Sequence, residues 1–418
     1  MKSNFERIGS HIRLVDARNR DERITTLLGL TIEKKFIPSV ANTIGSDMGS
    51  YKIIKRGQFA CSVMQVRRDK RMPVALLEEI EEAIISQAYP VFEIIGEEKL
   101  LPEYLMMWFR RAEFDREACF YAVGGVRGSL EWEDFCNMRL PVPSLEKQRE
   151  IVAEYETVVN RIALNERVSR KLEETAQAIY KHWFVDFEFP MSAKDAKELG
   201  KPELEGKPYC SSGGTMTFSE VLEKDIPASW LEITVSNFCT DMKSGGTPSR
   251  TTPEYWNSRD IPWLKTGELC DSVIVDSAEY ISLEGLKSSS ARIFKKNTVL
   301  VALYGDGKTK GSVGYLRFES ATNQASCGMS CENEAESSFL FYFLRFNKEL
   351  ITSQAIGGAQ ENLSKDLIGN LTFAAPNRET LEQHPFIQFL NHSEALTRQT
   401  IFLEKLRSLI LSQLALPR

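Results

Sequence analysis

At 418 residues the chain exceeds what one ordinary hydrophobic core accommodates, so two or more domains are expected. An apolar fraction of 42% is that of a folded protein, and the longest apolar run, Val299 to Tyr304, is far too short to cross a bilayer. The formal charge of −6 argues against a grip on nucleic acid by bulk charge, so any strong hold on phosphate is expected to come partly from another subunit.

Met1-Lys2-Ser3-Asn4 lacks the apolar core of a signal peptide, which predicts a cytoplasmic protein. The eight cysteines form no C-x-x-C pair, and no histidine lies near Cys327 and Cys331, the closest two. That pattern predicts reduced thiols, with neither a zinc site nor a disulfide framework.

Residues 1–143 read as a mixed α/β unit holding 21 basic and 21 acidic side chains. Tyr51 to Met64 predicts two strands around a turn at Arg56-Gly57, and Arg67, Arg68, Lys70 and Arg71 follow in a predicted loop. Such a basic run is either an ordinary solvated face or a set of phosphate and guanine contacts. A β-like run from Ala88 to Ile95 precedes an aromatic-rich helix at 102–111. Gly124-Gly125 punctuates a loop that carries Arg127, and Pro141-Val142-Pro143 closes the unit.

From Ser144 to Val185 no Pro or Gly occurs. Ile151, Tyr155, Val158, Ile162, Asn165, Ser169, Leu172, Ala176, Ile179 and Trp183 recur at alternating steps of four and three, the seam of a coiled coil. At about 1.5 Å per residue, the stretch from Ile151 to Trp183 makes a rod of roughly 50 Å. A stripe this narrow on a helix this long needs a partner helix. Residues 186–227 are polar and Gly-containing and read as a connector.

Residues 228–376 are again α/β. Lys243 and Arg250 flank Ser244-Gly245-Gly246-Thr247-Pro248-Ser249, which reads either as a structural turn or as a source of hydroxyls and free backbone N–H groups for DNA. Lys265 follows Ile261-Pro262-Trp263-Leu264. The aromatics Trp183, Trp256 and Trp263 are expected in the core. A buried strand at 297–305 runs into Gly305-Asp306-Gly307-Lys308-Thr309, with Lys310 beyond. Ala302 stands where a phosphate-binding P-loop needs Gly, and 310–316 looks like a hairpin and not a helix, so an NTPase is rejected. Lys308 and Lys310 remain solvent-facing or DNA-facing. In 377–418, Phe389, Leu396, Leu403 and Ile410 recur every seven residues and predict a second long helix, the partner of the first.

The two α/β units are copies. Lys52-Ile53-Ile54-Lys55-Arg56 matches Arg292-Ile293-Phe294-Lys295-Lys296 at an offset of 240, and Ser86-Gln87-Ala88 matches Asn323-Gln324-Ala325 at 237. Gly124-Gly125, Leu130, Asn137 and Pro143 match Gly357-Gly358, Leu363, Asn370 and Pro376 at 233. Each copy precedes a seam-bearing helix, and antiparallel packing of the two helices predicts globules at opposite ends. The fold expected is α+β (mixed α/β): a globule at 1–143, a helix at 144–185, the connector at 186–227, a second globule at 228–376 and a helix at 377–418. No nucleophile elbow, metal-spaced histidine pair or N-P-P-type methyltransferase motif appears. The Glu-rich stretch 78–82 reads as a solvated face, so the chain is expected to perform no chemistry itself.

This layout resembles the specificity (S) subunit of type I restriction–modification enzymes. The resemblance covers nearly the whole chain. It rests on the tandem repeat, on Pro141-Val142-Pro143-Ser144-Leu145-Glu146-Lys147-Gln148 at the start of the first helix, and on Trp183-Phe184-Val185-Asp186-Phe187 at its end. In the second half it rests on S-G-G-T-P-S, on E-Y-W (254–256), I-P-W-L-K (261–265) and T-N-Q-A (322–325), and on G-G-A-Q-E-N-L-S (357–364). Gln383-His384-Pro385 departs from the family's usual start to the second helix. The resemblance implies two target-recognition domains, each reading half of an asymmetric bipartite site in double-stranded DNA, with the paired helices fixing the unread spacer. It implies two adenine-N6 methyltransferase subunits and translocating endonuclease subunits as partners. S-adenosylmethionine, ATP and magnesium would belong to those partners, with no cofactor or metal in this chain and no membrane association. The candidate DNA contacts are then the Arg67–Arg71 run, Arg127, Lys243 to Thr247, Arg250, Lys265, Lys308, Lys310 and Gln360. The competing readings are a coiled-coil scaffold whose globules bind protein, and a fused nuclease or methyltransferase.

Overall fold

The computed structural model describes residues 5–39, 47–64, 66–96, 98–122, 128–305, 309–356 and 362–415. It forms two compact units, Met1–Ala163 with Phe402–Arg418, and Leu164–Ile401. Both long helices, Leu145–Tyr180 and Phe386–Gln413, therefore contribute to both units. The division falls within the helices, not at the predicted junctions of globule and helix.

In the first unit one four-stranded antiparallel sheet runs in the order Ile12–Val15, Val91–Ile94, Phe59–Cys61, Val74–Leu76. A second, mixed sheet runs Phe36–Pro38, Leu27–Leu30, Glu82–Ile85, Lys52–Lys55. The strands on either side of Arg56-Gly57 thus lie in different sheets and do not form the hairpin expected from the sequence. Gly57 takes a left-handed turn (φ +84°), and its N–H donates to Leu77 instead of closing a hairpin. Phe59 and Phe92 stack at 5.0 Å, and Phe109, Phe114 and Phe135 complete the aromatic core under the Pro102–Phe109 helix.

The second unit repeats these pairings and adds one strand, Ser272–Ile274, parallel to Val313–Leu316. Phe59, Ala60 and Cys61 pair with Leu76, Ala75 and Val74, as Val299, Leu300 and Val301 pair with Tyr315, Gly314 and Val313. On its other edge Phe59 pairs with Phe92, as Val299 pairs with Met329. Leu27 and Leu28 pair in parallel with Ile84 and Ile85, as Trp263 and Leu264 do with Ala321 and Thr322. Ile54 faces Ala83, and the positions 240 and 237 residues on, Phe294 and Ser320, form an antiparallel bridge. A short antiparallel pair closes each globule below its helix: Phe5–Arg7 with Arg139–Pro141, and Leu231–Thr234 with Thr372–Ala375. The duplication read from scattered matches is a duplication of backbone register.

In the first unit Ile151, Tyr155, Val158 and Ile162 are buried, and Ile151 and Tyr155 share a core with Ile410, Leu411 and Leu414. In the second unit Asn165 is 1% exposed, and its Nδ2 donates to Thr400 Oγ1 at 3.2 Å. Tyr180 packs 6.3 Å from Phe386, so the helices run antiparallel there. Ala176 is fully buried, while Ser169, Leu172, Ile179 and Trp183 are half-buried. After Tyr180 the backbone widens into a π-turn, Lys181–Val185. The wider turn shifts the helical phase, so Phe184 rather than Trp183 becomes the buried anchor, against Tyr180, Trp230, Phe339 and Phe386.

Two expectations are corrected here. Residues 186–227 are not a loose connector. Phe187, Phe189, Met191, Tyr209 and Ile226 enter the core of the second unit, with Phe189 stacked on Tyr209 at 4.6 Å. Segment 377–418 is not one helix: Arg378–Gln383 stops before Pro385, and the long helix begins at Phe386. Pro385 has no N–H to donate and fits only the first turn of the new helix. His384 at the break is buried, hydrogen-bonds the Ala335 carbonyl at 3.1 Å, and is pushed down to about 4 by burial. Phe386 and Leu390 carry the docking of this helix, whereas the predicted seam residues Phe389, Leu396, Leu403 and Ile410 are half-buried.

Asn165→Ala, which strands the Thr400 hydroxyl and opens a gap, is expected to destabilise the fold by about 1–3 kcal/mol. Asn165→Leu with Thr400→Val replaces both partners by apolar groups and is expected to match or exceed wild-type stability. Thermal unfolding of both variants checks this; a double variant as unstable as Asn165→Ala contradicts the seam assignment.

Candidate nucleic-acid interface

The repeat gives each unit a basic connection between the same two strands. In the first unit the connection from Phe59–Cys61 to Val74–Leu76 carries Arg67, Arg68, Lys70 and Arg71, all exposed. In the second, the equivalent connection from Val299–Ala302 to Val313–Leu316 carries Lys308 and Lys310. The segments that begin at Gly128 and Asn362 are tied to these connections in the same way. Leu130 N donates to Val63 O at 2.9 Å, and Leu363 N donates to Leu303 O at 3.0 Å. Arg127, Lys308 and Gln360 lie outside the described residues.

In the first unit the basic connection is not the predicted loop. Val66–Asp69 forms a helical turn because Val66 is buried in the core and Cys119 donates to the Val66 carbonyl. Lys70 ends the turn at φ +53°. Arg67 N donates to Gly128 O, and a Cβ on Gly128 (φ +49°) would lie 2.5 Å from Arg67 Cβ, so glycine is needed there. Arg68 pairs with Asp69 at 2.7 Å. Phe120, on the Ala112–Tyr121 helix that holds this turn, is 81% exposed beside half-exposed Tyr121. The sequence offered no reason to single out Phe120.

In the second unit the Ser-Gly-Gly stretch is a packed turn. Gly245 N donates to Ser326 O and Gly246 N to Thr322 O, so these N–H groups are not free as one reading had them. A Cβ on Gly245 would sit 2.2 Å from the Thr322 carbonyl oxygen, and one on Gly246 would sit 2.4 Å from Ala291 N. Gly246 O accepts from Trp263 Nε1 at 3.0 Å, and Trp263 is in the core as expected. Within the stretch, half-buried Thr247 donates to Gln324, and exposed Ser249 shares a hydrogen bond with the Thr251 hydroxyl. Ser244 ends the edge strand Asp241–Ser244, and Lys243 pairs with Asp241 at 2.7 Å.

Arg250 is held more elaborately. Its guanidinium lies 3.5 Å over the Trp256 ring and 5.0 Å from Trp263, and it pairs with Glu279 at 2.7 Å. Lys265 shares the same carboxylate. Burial would raise the Glu279 carboxyl, but hydrogen bonds from Lys265 and Arg250 outweigh it and hold it below the ordinary carboxylate range. A stacked, paired guanidinium of this kind is fixed in orientation, and Arg250 remains half exposed. Glu279 went unnoticed in the sequence because nothing in its spacing ties it to Arg250. Lys310 is half-buried beside Gly311.

Residues 69–174 and 227–405 match the family described as "Type I restriction modification DNA specificity domain". The chain belongs to that family. Among similar proteins, the HindI specificity subunit of Haemophilus influenzae is 23% identical over 371 residues, 79% of each chain. The MjaIX specificity subunit of Methanocaldococcus jannaschii is 20% identical over 328 residues, 77% of this chain and 70% of that one. The crystal structure of a type I restriction–modification S subunit from M. genitalium shares the fold. Its TM-score is 0.59 at 14% identity, over all of this chain and 97% of the other. At family level the role is DNA sequence specificity. All eight cysteines are free. Among the described residues no acidic, histidine or cysteine cluster could hold a metal, and no helix is long and apolar enough to cross a membrane.

Gly245→Ala is expected to lower stability by more than about 2 kcal/mol, since backbone must move to admit the methyl group. Chemical denaturation measures this. A variant within about 0.5 kcal/mol of wild type would return these glycines to the reading in which their N–H groups are free for DNA.

Proposed function

We propose that this chain is the non-catalytic subunit that selects the DNA site of a type I restriction–modification complex, each globule reading one half of a bipartite sequence. The observation that supports this reading is the equivalence of the two basic connections: the same strand pair, in the same register, is joined by a segment rich in cationic residues in each unit, to which Leu130 and Leu363 bond alike. Two equivalent readers with different side chains fit a site with two different halves. Arg67, Arg68, Lys70 and Arg71, with Phe120 beside them, serve the first half. Arg250, Lys265, Thr247, Lys308 and Lys310 serve the second, with Arg127 and Gln360 contributed by the diglycine segments. A planar guanidinium fixed over an aromatic ring is suited to the two acceptors on a guanine edge. A compact ammonium on a flexible stem, such as that of Lys243, suits phosphate positioning instead.

The paired helices set the spacer between the halves and dock the methyltransferase subunits. Phe402 and Leu409, one heptad apart on the second helix, are 65% and 53% exposed, and Leu164 and Val168 add exposed apolar surface on the first. Apolar side chains repeated on the outside of a helix pair support a covering partner. Adenine-N6 methylation and restriction are then performed by the partner subunits, which hold S-adenosylmethionine, ATP and magnesium.

Replacing residues 1–143 with the matching segment of another family member is expected to change one half of the methylated site and leave the other intact. Mapping methylated sites in cells carrying the hybrid reads the outcome; a change in both halves, or in neither, contradicts two independent readers.

A further inference from the structure

Within the first unit, a cavity of about 620 Å³ collects positive charge. Lys34, Lys35, Lys70, Arg71, Arg110 and Arg116 line it from the globule and Arg407 from the second long helix, against only Glu33 and Asp115. A chain of net charge −6 does not produce such a concentration by composition. Nor does the shared architecture. The cavity where the helices meet the second globule mixes Arg170 and Arg345 with Glu173, Glu174 and Asp271.

The wall is built, not incidental. Lys34 sits at φ +63° in the turn between two strands, a left-handed conformation that a lysine adopts only when its surroundings enforce it. Its side chain is 6% exposed, and its Nζ donates to the Phe109 carbonyl and, at 2.8 Å, to Asp115. Two of the ammonium's three donors are used in this way among the described residues, and the Phe114 ring lies 4.9 Å from Nζ. Burial lowers the Lys34 pKa, Asp115 offsets this only in part, and Arg71 and Arg110 push it down further. Like charges gathered in a partly enclosed space repel one another, and an anion among them relieves that repulsion. Arg116 and Arg407 are paired with Glu113 and Glu404 on their own helices. Lys35, Lys70 and Arg71 form no ion pair among the described residues.

We propose that this cavity binds a phosphate group, and that in the working protein the phosphate belongs to the DNA backbone. Lys70 and Arg71 belong both to the cavity wall and to the basic connection, which makes the cavity continuous with the candidate DNA-reading surface. The cavity then anchors the duplex without reading sequence. This assignment rests on the DNA-binding reading above.

The test uses the full chain carrying Lys35→Gln and Arg116→Gln, two exposed positions outside the proposed base contacts, with Lys171→Gln as control. Duplex binding is measured across a salt series, and sodium tripolyphosphate is titrated separately. The expected result is a slope of log affinity against log salt shallower by about 0.9 per lost contact, with the selected sequence unchanged and no effect of the control. Tripolyphosphate binding that the double variant abolishes, with an unchanged duplex slope, would keep the phosphate site but assign it to a free polyphosphate and overturn the backbone assignment. An unchanged slope with no tripolyphosphate binding overturns the proposal. A wild-type chain that binds no duplex at any salt contradicts the DNA-binding reading itself, while the tripolyphosphate arm still tests the cavity.

Discussion

A single apolar stripe along a helix of 36 residues cannot be hidden by that helix, and the pairing that hides it organises the chain. Each half of the sequence ends in a long helix, and each compact unit is completed by segments of both. The pairing also explains the polar members of the stripe. Asn165 is buried at 1% exposure, yet its amide meets Thr400 across the pair. A buried amide tolerates few partners, so this contact selects one register at some cost in stability compared with leucine.

Onto that frame the chain places the same globule twice. The agreement extends to individual strand pairs, and it decides how the candidate residues should be grouped. The Arg67–Arg71 run and the Lys308–Lys310 segment look unrelated in sequence, one an arginine cluster and the other a glycine-rich loop. They are the same connection in two copies. Different side chains on one scaffold are what two readers of different half-sites require, whereas a scaffold built only to hold two copies of one partner has no need of the divergence.

Much of this was legible from the sequence, because seam periodicity and duplication are properties of the pattern of residues and survive without coordinates. What was not legible depended on contacts between distant segments. Arg56-Gly57 looks like a hairpin turn, yet its two strands join different sheets because each finds a better partner elsewhere, at Glu82–Ile85 and Val91–Ile94. Residues 186–227 look like a linker by composition, but a few scattered apolar side chains are enough to fold them into a core. The Ser-Gly-Gly stretch left two readings open, and the nearness of the Thr322 carbonyl resolves them for the glycines. The cationic cavity draws on a strand turn, a helical turn, two helices of the globule and a residue near the end of the chain, so no local pattern announces it. The π-turn at Lys181–Val185 moved the anchor from Trp183 to Phe184, a shift that a uniform helical period conceals.

The central claim is that this chain selects a bipartite DNA site for partners that modify it. Single-molecule methylome sequencing of a host expressing the chain with its cognate methyltransferase subunit tests that claim most directly. The account predicts N6-methyladenine at one asymmetric sequence of two defined halves separated by a spacer of fixed length, and no such mark when this chain is omitted. Methylation at a continuous sequence, or an unchanged pattern without this chain, would contradict it.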